Sequence, residues 1–253
     1  MKRPFLFTLL ILLASNCSAE RINSESGNPP SHEIFDELLR SNVSGDQVDY
    51  RGFINSKEKF EKYLDLISEN PPDRGKWSKK EQLTYWINAY NAFTIKLIID
   101  NYPVESIQDL HPTIYIPLVR TVWHKKFFKI GEVEMNLDEI EHDILRKEFN
   151  EPRIHFAINC ASFSCPPLRN EAFTADKIDK QLEEQAVTFV NDSERNKIST
   201  NSADVSRIFS WFSKDFTKDG SLIQFLNKYS KVKLNEDAKI EYLDYDWSLN
   251  DKK

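Results

Sequence analysis

Residues 78–103 read SKKEQLTYWINAYNAFTIKLIIDNYP, and this stretch decides the fold. Ser78 is a typical N-cap, Glu81 follows at the spacing of a capping box, and Pro103 ends the pattern. At the helical period, apolar residues fall on two sides of the helix. They are Leu83, Tyr90 and Leu97 on one side, and Ile95 and Ile99 on the other. The pattern predicts a central helix that is buried nearly all round.

Two asparagines interrupt this apolar helix. Asn88 projects between Ile95 and Ile99, and Asn91 lies between the two apolar sides. A buried amide needs hydrogen-bond partners, because leaving it unpaired costs about 1–3 kcal/mol. The two side chains therefore either tie neighbouring loops to the helix or orient a catalytic side chain or a substrate.

The order of the other elements predicts an α+β fold. Helical patterns over residues 31–43, 54–70 and 78–102 come first, and strands mixed with helices follow. Alternating patterns at 127–135 and 198–212 predict hairpins, and residues 238–250 predict a last strand. Segment 48–53 reads as a strand or a turn, and segment 153–160 as a strand. We expect residues 31–253 to form one domain, with a helical N-terminal half packed on a small, mainly antiparallel sheet.

Composition excludes some classes of function. The 253 residues are 40% hydrophobic and 29% charged, which is typical of a folded globular chain. The net charge of -6 gives no electrostatic reason to expect nucleic acid. Six glycines leave little material for phosphate-binding loops, and nothing predicts a cofactor.

The N-terminus has the pattern of an export signal. Lys2 and Arg3 precede a short apolar run, and Cys17 stands where a bacterial lipoprotein is cleaved and lipidated. The rival cleavage site follows Ala19. We therefore expect a signal at 1–19, a linker at 20–30, and an exported protein of the periplasm or outer membrane. Contact with the membrane is expected only through a lipid anchor at Cys17.

The predicted helix at 136–149 carries an inward-facing carboxylate. Glu141 projects to the same face as the apolar residues of this helix, and His142 lies at the margin of that face. A carboxylate in that position needs a partner. Arg153 and His155, on the next predicted strand, are the simplest candidates. The alternative is that Glu141 forms a structural ion pair while His142 is a surface residue.

Strand alternation separates the nearest histidine from the first cysteine of that region. In RIHFAINC, residues 153–160, His155 lies on one face and Cys160 on the other. Only a bend at Asn159 would bring them together. His142, His111 and His124 are equally good candidates for a Cys–His pair.

Cys160 and Cys165 have three interpretations. Cys160 enters a loop rich in Ala, Ser and Cys, where a thiolate could act as a nucleophile. A disulfide is sterically reasonable at this spacing, and export would permit it. Zinc ligation by both sulfurs and His155 lacks the usual two-residue spacing, so no metal site is predicted.

Four motifs in order resemble a known family. They are YWINAYNAFTIK at 85–96, LDEIEHDILR at 137–146, RIHFAINCASFSCPPLR at 153–169 and YLDYDWSLN at 242–250. Together they resemble exported bacterial members of the family named domain of unknown function 547, from about residue 48 to Asn250. The recurrent polar positions of the family correspond here to Asn88, Asn91, Glu141, His142, Arg146, His155, Cys160 and Cys165.

These residue types are also those of papain-like and transglutaminase-like enzymes. We therefore hypothesise a thiol-dependent hydrolase or acyl transferase with an unknown substrate. Its catalytic residues would be Cys160 as nucleophile, His142 or His155 as base, Glu141 as the orienting group, and Asn88 or a backbone N–H at the oxyanion. The alternative is a non-catalytic cell-envelope protein with a structural Cys160–Cys165 disulfide. Aromatic residues near the C-terminus, such as Trp211 and Tyr245, either line a pocket or fill the core.

Overall fold

The computed structural model describes residues 27–117 and 120–252. The predicted signal, Cys17 and most of the predicted linker lie outside these ranges. The helices are α1 Glu33–Asn42, α2 Tyr50–Asn55, α3 Lys57–Glu69, α4 Lys79–Ile99, α5 Arg146–Glu148, α6 Ile178–Val190, α7 Ile208–Trp211, α8 Ser213–Phe216 and α9 Leu222–Tyr229. A π-helix spans Glu139–Leu145, and short 3-10 helices span Ile107–Leu110, Val122–His124 and Pro152–Phe156. Within the described ranges, no helix is long and apolar enough to cross a bilayer.

Helix α4 is the centre of the molecule, as its sequence predicts. Ser78 accepts from the backbone N–H of Glu81, and the Glu81 carboxylate accepts from the backbone N–H of Ser78, which completes the capping box. Nearly every side chain from Gln82 to Ile98 is buried. Helices α2 and α3 pack against α4, and α1 packs against α3 through contacts such as the stacked rings of Phe35 and Tyr63, 4.8 Å apart.

The strands form three small sheets. They are β1 Val43–Ser44, β2 Gln47–Val48, β3 Phe128–Ile130, β4 Val133–Met135, β5 Lys197–Ile198, β6 Ser202–Val205 and β7 Lys239–Tyr242. The β1–β2, β3–β4 and β5–β6 pairs are antiparallel, and β7 joins β6 in parallel. Both predicted hairpins are therefore confirmed, and so is the α+β class.

The apolar residues form two cores that meet at a cavity. The first surrounds α4, and the second is an aromatic cluster that includes Phe156, Phe189 and Phe209. Tyr90 from the first core and Ile208 from the second both line the cavity. The fold thus brings side chains from distant parts of the chain to one concave surface.

The strand predicted over 153–160 is wrong. Residues Pro152–Phe156 form a 3-10 helix instead. Pro152 occupies the first turn, where its fixed φ suits a helix, and the Glu151 carboxylate caps the backbone N–H of Arg153. On a strand, Ile154 and Phe156 would share one face. Here they bury their side chains in different cores.

Segment 48–53, predicted as a strand or a turn, mostly belongs to helix α2. The Asp49 carboxylate accepts from the backbone N–H of Gly52 and so caps this helix. The helix predicted over 136–149 is present, but its middle is the wider π-helix. Wider helical turns of this kind are frequent at functional sites.

Candidate functional site

The cavity between the two cores has a volume of about 670 Å³. Four of the five histidines of the chain line it, namely His111, His124, His142 and His155. Cys160, Cys165 and Glu141 also line it. A cavity that gathers titratable and nucleophilic side chains among aromatic ones is the usual setting of an active site.

His155 is held by an acidic residue that lies sixty positions later in the chain. Its Nε2 lies 2.7 Å from Oδ2 of Asp215, which belongs to α8. The same carboxylate accepts two hydrogen bonds from Arg146, at 2.6 and 3.1 Å. The imidazole stacks on the ring of Phe212, with centroids 3.9 Å apart. Contacts on several sides therefore fix the orientation of His155.

These contacts also fix which nitrogen of His155 carries the proton. Burial opposes ionisation of Asp215, but the hydrogen bonds from His155 and Arg146 outweigh it and hold the pKa of Asp215 well below its usual value. Burial lowers the pKa of His155, so this imidazole is neutral at pH 7. A carboxylate can only accept a hydrogen bond, so Nε2 must donate to Asp215. Nδ1 therefore has a free lone pair, and it is buried without a hydrogen-bond partner.

The π-helix places several polar side chains on the cavity wall. Arg146 donates its backbone N–H to the carbonyl of Glu141, five residues earlier, which widens this turn. The Arg146 guanidinium also donates to Nδ1 of His142 at 2.8 Å. Nε2 of His142 lies 3.5 Å from Oδ1 of Asp138. Both nitrogens of His142 therefore face partners, unlike those of His155.

Asp138 also faces a second imidazole. Its Oδ1 lies 3.5 Å from Nε2 of His124. Nδ1 of His124 is 2.8 Å from the hydroxyl of Thr121 and 3.4 Å from the backbone nitrogen of that residue. Asp138 thus lies between two histidines that come from different elements.

Glu141 lines the cavity, which confirms that it faces inward. It accepts a hydrogen bond of 3.3 Å from the hydroxyl of Tyr90, a group whose pKa burial raises well above the usual value. The pairing predicted with Arg153 is wrong, because that guanidinium binds Glu151 and Glu183. Among the described residues, Glu141 has no ion-pair partner.

Asparagine side chains shape the turn that carries Cys160. Asn91 donates to the carbonyl of Ala157 and accepts from the backbone N–H of Asn159, both at 2.9 Å. Asn159 in turn accepts from the backbone N–H of Ala161 at 2.8 Å. Ala161 has a φ of 63°, a conformation that residues other than glycine seldom adopt. Helix α4 thus fixes the bend through which Cys160 reaches the cavity.

Cys160 and Cys165 form a disulfide in the structure, with Cα atoms 6.3 Å apart. The hydroxyl of Tyr245 contacts both sulfurs, at 3.4 Å from Cys160 and 3.3 Å from Cys165. Arg195 donates hydrogen bonds to the carbonyls of Cys165 and Phe163, and these bonds hold the loop in place. Cys165 is buried, whereas Cys160 is partly exposed.

His155 and Cys160 do not lie on opposite faces of a strand, because residues Pro152–Phe156 form a 3-10 helix. Both residues line the same cavity. In the part of the chain that the structure describes, however, no histidine forms a hydrogen bond with either sulfur. Cys160 contacts the hydroxyls of Ser162 and Tyr245 instead.

Asn88 lies away from the cavity. Its side chain donates to the carbonyl of Phe173 at 2.9 Å and accepts from the backbone N–H of Phe173 at 3.0 Å. Both ends of the amide are therefore used to tie a loop to α4. The oxyanion role predicted for Asn88 has no support in this geometry.

Sequence reasoning missed Asp215 and the role of Tyr90. Asp215 stands in the segment SWFSKDF, where no spacing links it to His155. Of the aromatic residues in the C-terminal third of the chain, Trp211, Phe212, Tyr245 and Trp247 line the cavity, and Phe216 belongs to the second core. Over the two described ranges, the His, Cys, Asp and Glu side chains form no group of three or more that could hold a metal ion.

Residues 75–190 match the model of a family described as "Protein of unknown function, DUF547". This match supports the predicted family for that segment, which includes Glu141, His142, His155 and Cys160. Asp215 and Tyr245 lie beyond the matched residues. No curated protein and no solved structure matches the chain.

Proposed function

We propose that this domain is a thiol-dependent hydrolase or acyl transferase, with Cys160 as the nucleophile and His155 as the general base. One observation carries the proposal: His155, whose Nδ1 is buried without a hydrogen-bond partner, lines the same cavity as Cys160. A base that is oriented by a carboxylate and has one free nitrogen is the arrangement that activates a nucleophile. Asp215 takes the orienting role that the sequence suggested for Glu141.

His155 is a better base than His142. Nδ1 of His142 already accepts from Arg146, so its lone pair is engaged. The Asp215 carboxylate would stabilise His155 when it gains a proton, as an ion pair with low solvent access. His142 and Asp138 then help to position Arg146, which in turn holds Asp215.

In the proposed reaction, the Cys160 sulfur attacks the carbonyl carbon of an acyl substrate. The thiol proton passes to His155 Nδ1 and then to the leaving group, whose bond to the carbonyl breaks. Water or another nucleophile attacks the resulting thioester and gives its proton to His155. The carbon–sulfur bond breaks, and Cys160 regains that proton.

This chemistry requires a free thiol at Cys160. The disulfide form is therefore the resting form of the proposed enzyme, and a dithiol reductant must convert it to two thiols while the reductant itself becomes a disulfide. Cys165 is the more buried partner, so Cys160 is the sulfur that a substrate can reach.

The test uses Cys165→Ser, which leaves Cys160 without its disulfide partner. We expect iodoacetamide to alkylate Cys160 at pH 7, as located by peptide mass spectrometry. Adding His155→Gln should slow this alkylation at least tenfold, because the base is lost. Adding His124→Gln instead, at a cavity histidine whose Nδ1 is already bonded, should change the rate less than twofold. Equal rates in all three proteins would end the proposal.

A second measurement covers the case in which His155→Gln does not fold. The alkylation rate of the Cys165→Ser protein, followed against pH, reports the pKa of Cys160 directly. We expect a value below the ~8.5 of a free thiol. A value at or above that figure contradicts an activated nucleophile.

The disulfide supports a second candidate function, that of a non-catalytic envelope protein. In that case the bridge would serve to close the loop that Arg195 and Tyr245 hold. A bridge that stays fully oxidised in the isolated protein, together with an unreactive Cys160 in Cys165→Ser, favours this candidate.

Export to the periplasm or outer membrane is also a proposal, and it rests on the N-terminal sequence pattern alone. Mass spectrometry of the mature N-terminus tests it. A lipidated Cys17 supports an anchor, an N-terminus at Glu20 supports a soluble exported form, and an intact Met1 contradicts both.

A further inference from the structure

We propose that the cavity binds a protonated primary amine carried on an alkyl chain. This inference concerns what the cavity holds, and it does not depend on thiol chemistry at Cys160. It goes beyond the reaction class by assigning the cationic group of the ligand to Glu141 and the chain to the aromatic wall.

The charged side chains that line the cavity favour a cationic ligand. The cavity lining contains two carboxylates, Asp138 and Glu141, and one permanent cation, Arg146. Arg146 is already paired with Asp215, and Asp138 lies between two imidazoles. Glu141, in contrast, has only the Tyr90 hydroxyl as a partner among the described residues. A carboxylate that lines a cavity without an ion-pair partner attracts a cationic ligand.

The hydrogen-bond acceptors among the cavity-lining residues favour a ligand with N–H donors. A carboxylate such as Glu141 only accepts hydrogen bonds. His155 Nδ1 also has a lone pair, and it is buried without a partner in a side chain that is only 1% exposed. Glu141 and His155 both line the cavity. Acceptors among the residues that line the cavity are matched by a ligand with several N–H donors, which a primary ammonium provides.

The aromatic side chains that line the cavity suit both a cation and an alkyl chain. Trp211, Tyr245 and Trp247 form one aromatic surface, with ring centroids 4.5–5.8 Å apart. Trp123 extends it, at 5.6 Å from Trp247. Aromatic faces attract cations and also pack against alkyl chains. Trp211 is 47% exposed, so part of its ring remains open to a ligand.

The test measures binding to the full-length, oxidised protein by tryptophan fluorescence. We expect saturable binding of n-butylammonium. n-Butanol, which lacks the charge, and tetramethylammonium, which lacks N–H donors, should each bind at least tenfold more weakly. Equal binding of n-butanol, or no saturable binding of n-butylammonium, overturns the proposal. Tetramethylammonium binding as tightly as n-butylammonium would also overturn it.

Two variants locate the site. Glu141→Gln should weaken n-butylammonium binding at least tenfold, whereas Glu132→Gln, in the exposed turn between β3 and β4, should leave it unchanged. Trp211→Leu, at an exposed position that can change without unfolding the core, should weaken binding severalfold. An affinity that is unchanged in both Glu141→Gln and Trp211→Leu contradicts the assignment. Because Cys160 stays in its disulfide throughout, failure of the thiol proposal would not affect these results.

Discussion

At the scale of single residues, the pairing of Asp215 with Arg146 and His155 is the main polar contact of the site. All three side chains are at least three-quarters buried, at 25% exposure or less. Replacing one member of such a group leaves the others partly unpaired, which usually costs more than the pair itself contributed. The site therefore depends on Asp215 for stability as well as for the tautomer of His155.

We predict that Asp215→Asn lowers the free energy of unfolding by about 2 kcal/mol at pH 7. The pKa of Asp215 is lowered in the folded state, so its contribution is fully present above its ordinary value of 3.8 and is lost as pH falls below that value. The difference between wild type and variant should therefore shrink as pH falls below about 4, and it should continue to shrink toward the lowered pKa of Asp215. Urea unfolding at several pH values measures both effects.

The control for this prediction is Asp143→Asn. Asp143 pairs with Lys147 on the same helical segment, but both side chains are more than half exposed. Exposed pairs contribute little, so we expect a change of at most about 0.5 kcal/mol. A loss in Asp143→Asn as large as that in Asp215→Asn would show that burial is not the reason.

At this scale the sequence predicts some of the site and misses the rest. Glu141 was identified because a carboxylate stood on an apolar helical face, which is a local pattern. Asp215 was not identified, because its partners His155 and Arg146 lie sixty and sixty-nine residues away and no local spacing reflects them. The position of Asn88 on the helix fits either a loop tie or a catalytic role, and only its hydrogen bonds to the backbone of Phe173 identify it as a loop tie.

At the scale of elements, α4 shows when local signals are sufficient. Its cap, its apolar surface and its final proline all agree, and the structure follows them. Segment 153–160 shows the opposite case. Its alternation fits a strand, but Pro152 and the Glu151 cap favour a 3-10 helix, and two separate cores take its apolar side chains. The alternation of apolar and polar residues does not show that neighbouring apolar side chains enter two different cores.

We predict that Ser78→Ala lowers the free energy of unfolding by about 1 kcal/mol, because α4 loses the side-chain half of its capping box. Ser56→Ala is the matched control. Ser56 is the N-cap of α3, but its side chain makes no capping hydrogen bond, so we expect a change below about 0.5 kcal/mol. Equal losses in the two variants, measured by urea unfolding, would mean that the capping bond contributes nothing.

At the scale of the whole molecule, the two cores meet along the cavity, and the C-terminal segment crosses between them. Leu249 forms a bridge with Ser162, and Asn250 donates its backbone N–H to Ala161. The same segment contributes Tyr245 and Trp247 to the cavity wall. The Cys160 loop is therefore held by the chain terminus, by α4 through Asn91, and by its own disulfide.

We predict that reducing this disulfide destabilises the protein without unfolding it. The bridge closes a short loop, with a sequence separation of 5, and the loop-closure entropy for such a loop corresponds to about 2 kcal/mol. For a chain of this size, that loss lowers the melting temperature by about 4–8 °C. Thermal unfolding with and without dithiothreitol measures the shift, and mass spectrometry verifies the reduction. The Cys160→Ser, Cys165→Ser double variant should melt near the reduced wild type and should not respond to dithiothreitol. An unchanged melting temperature in fully reduced wild type would mean that Asn91, Tyr245 and Arg195 hold the loop without help from the bridge.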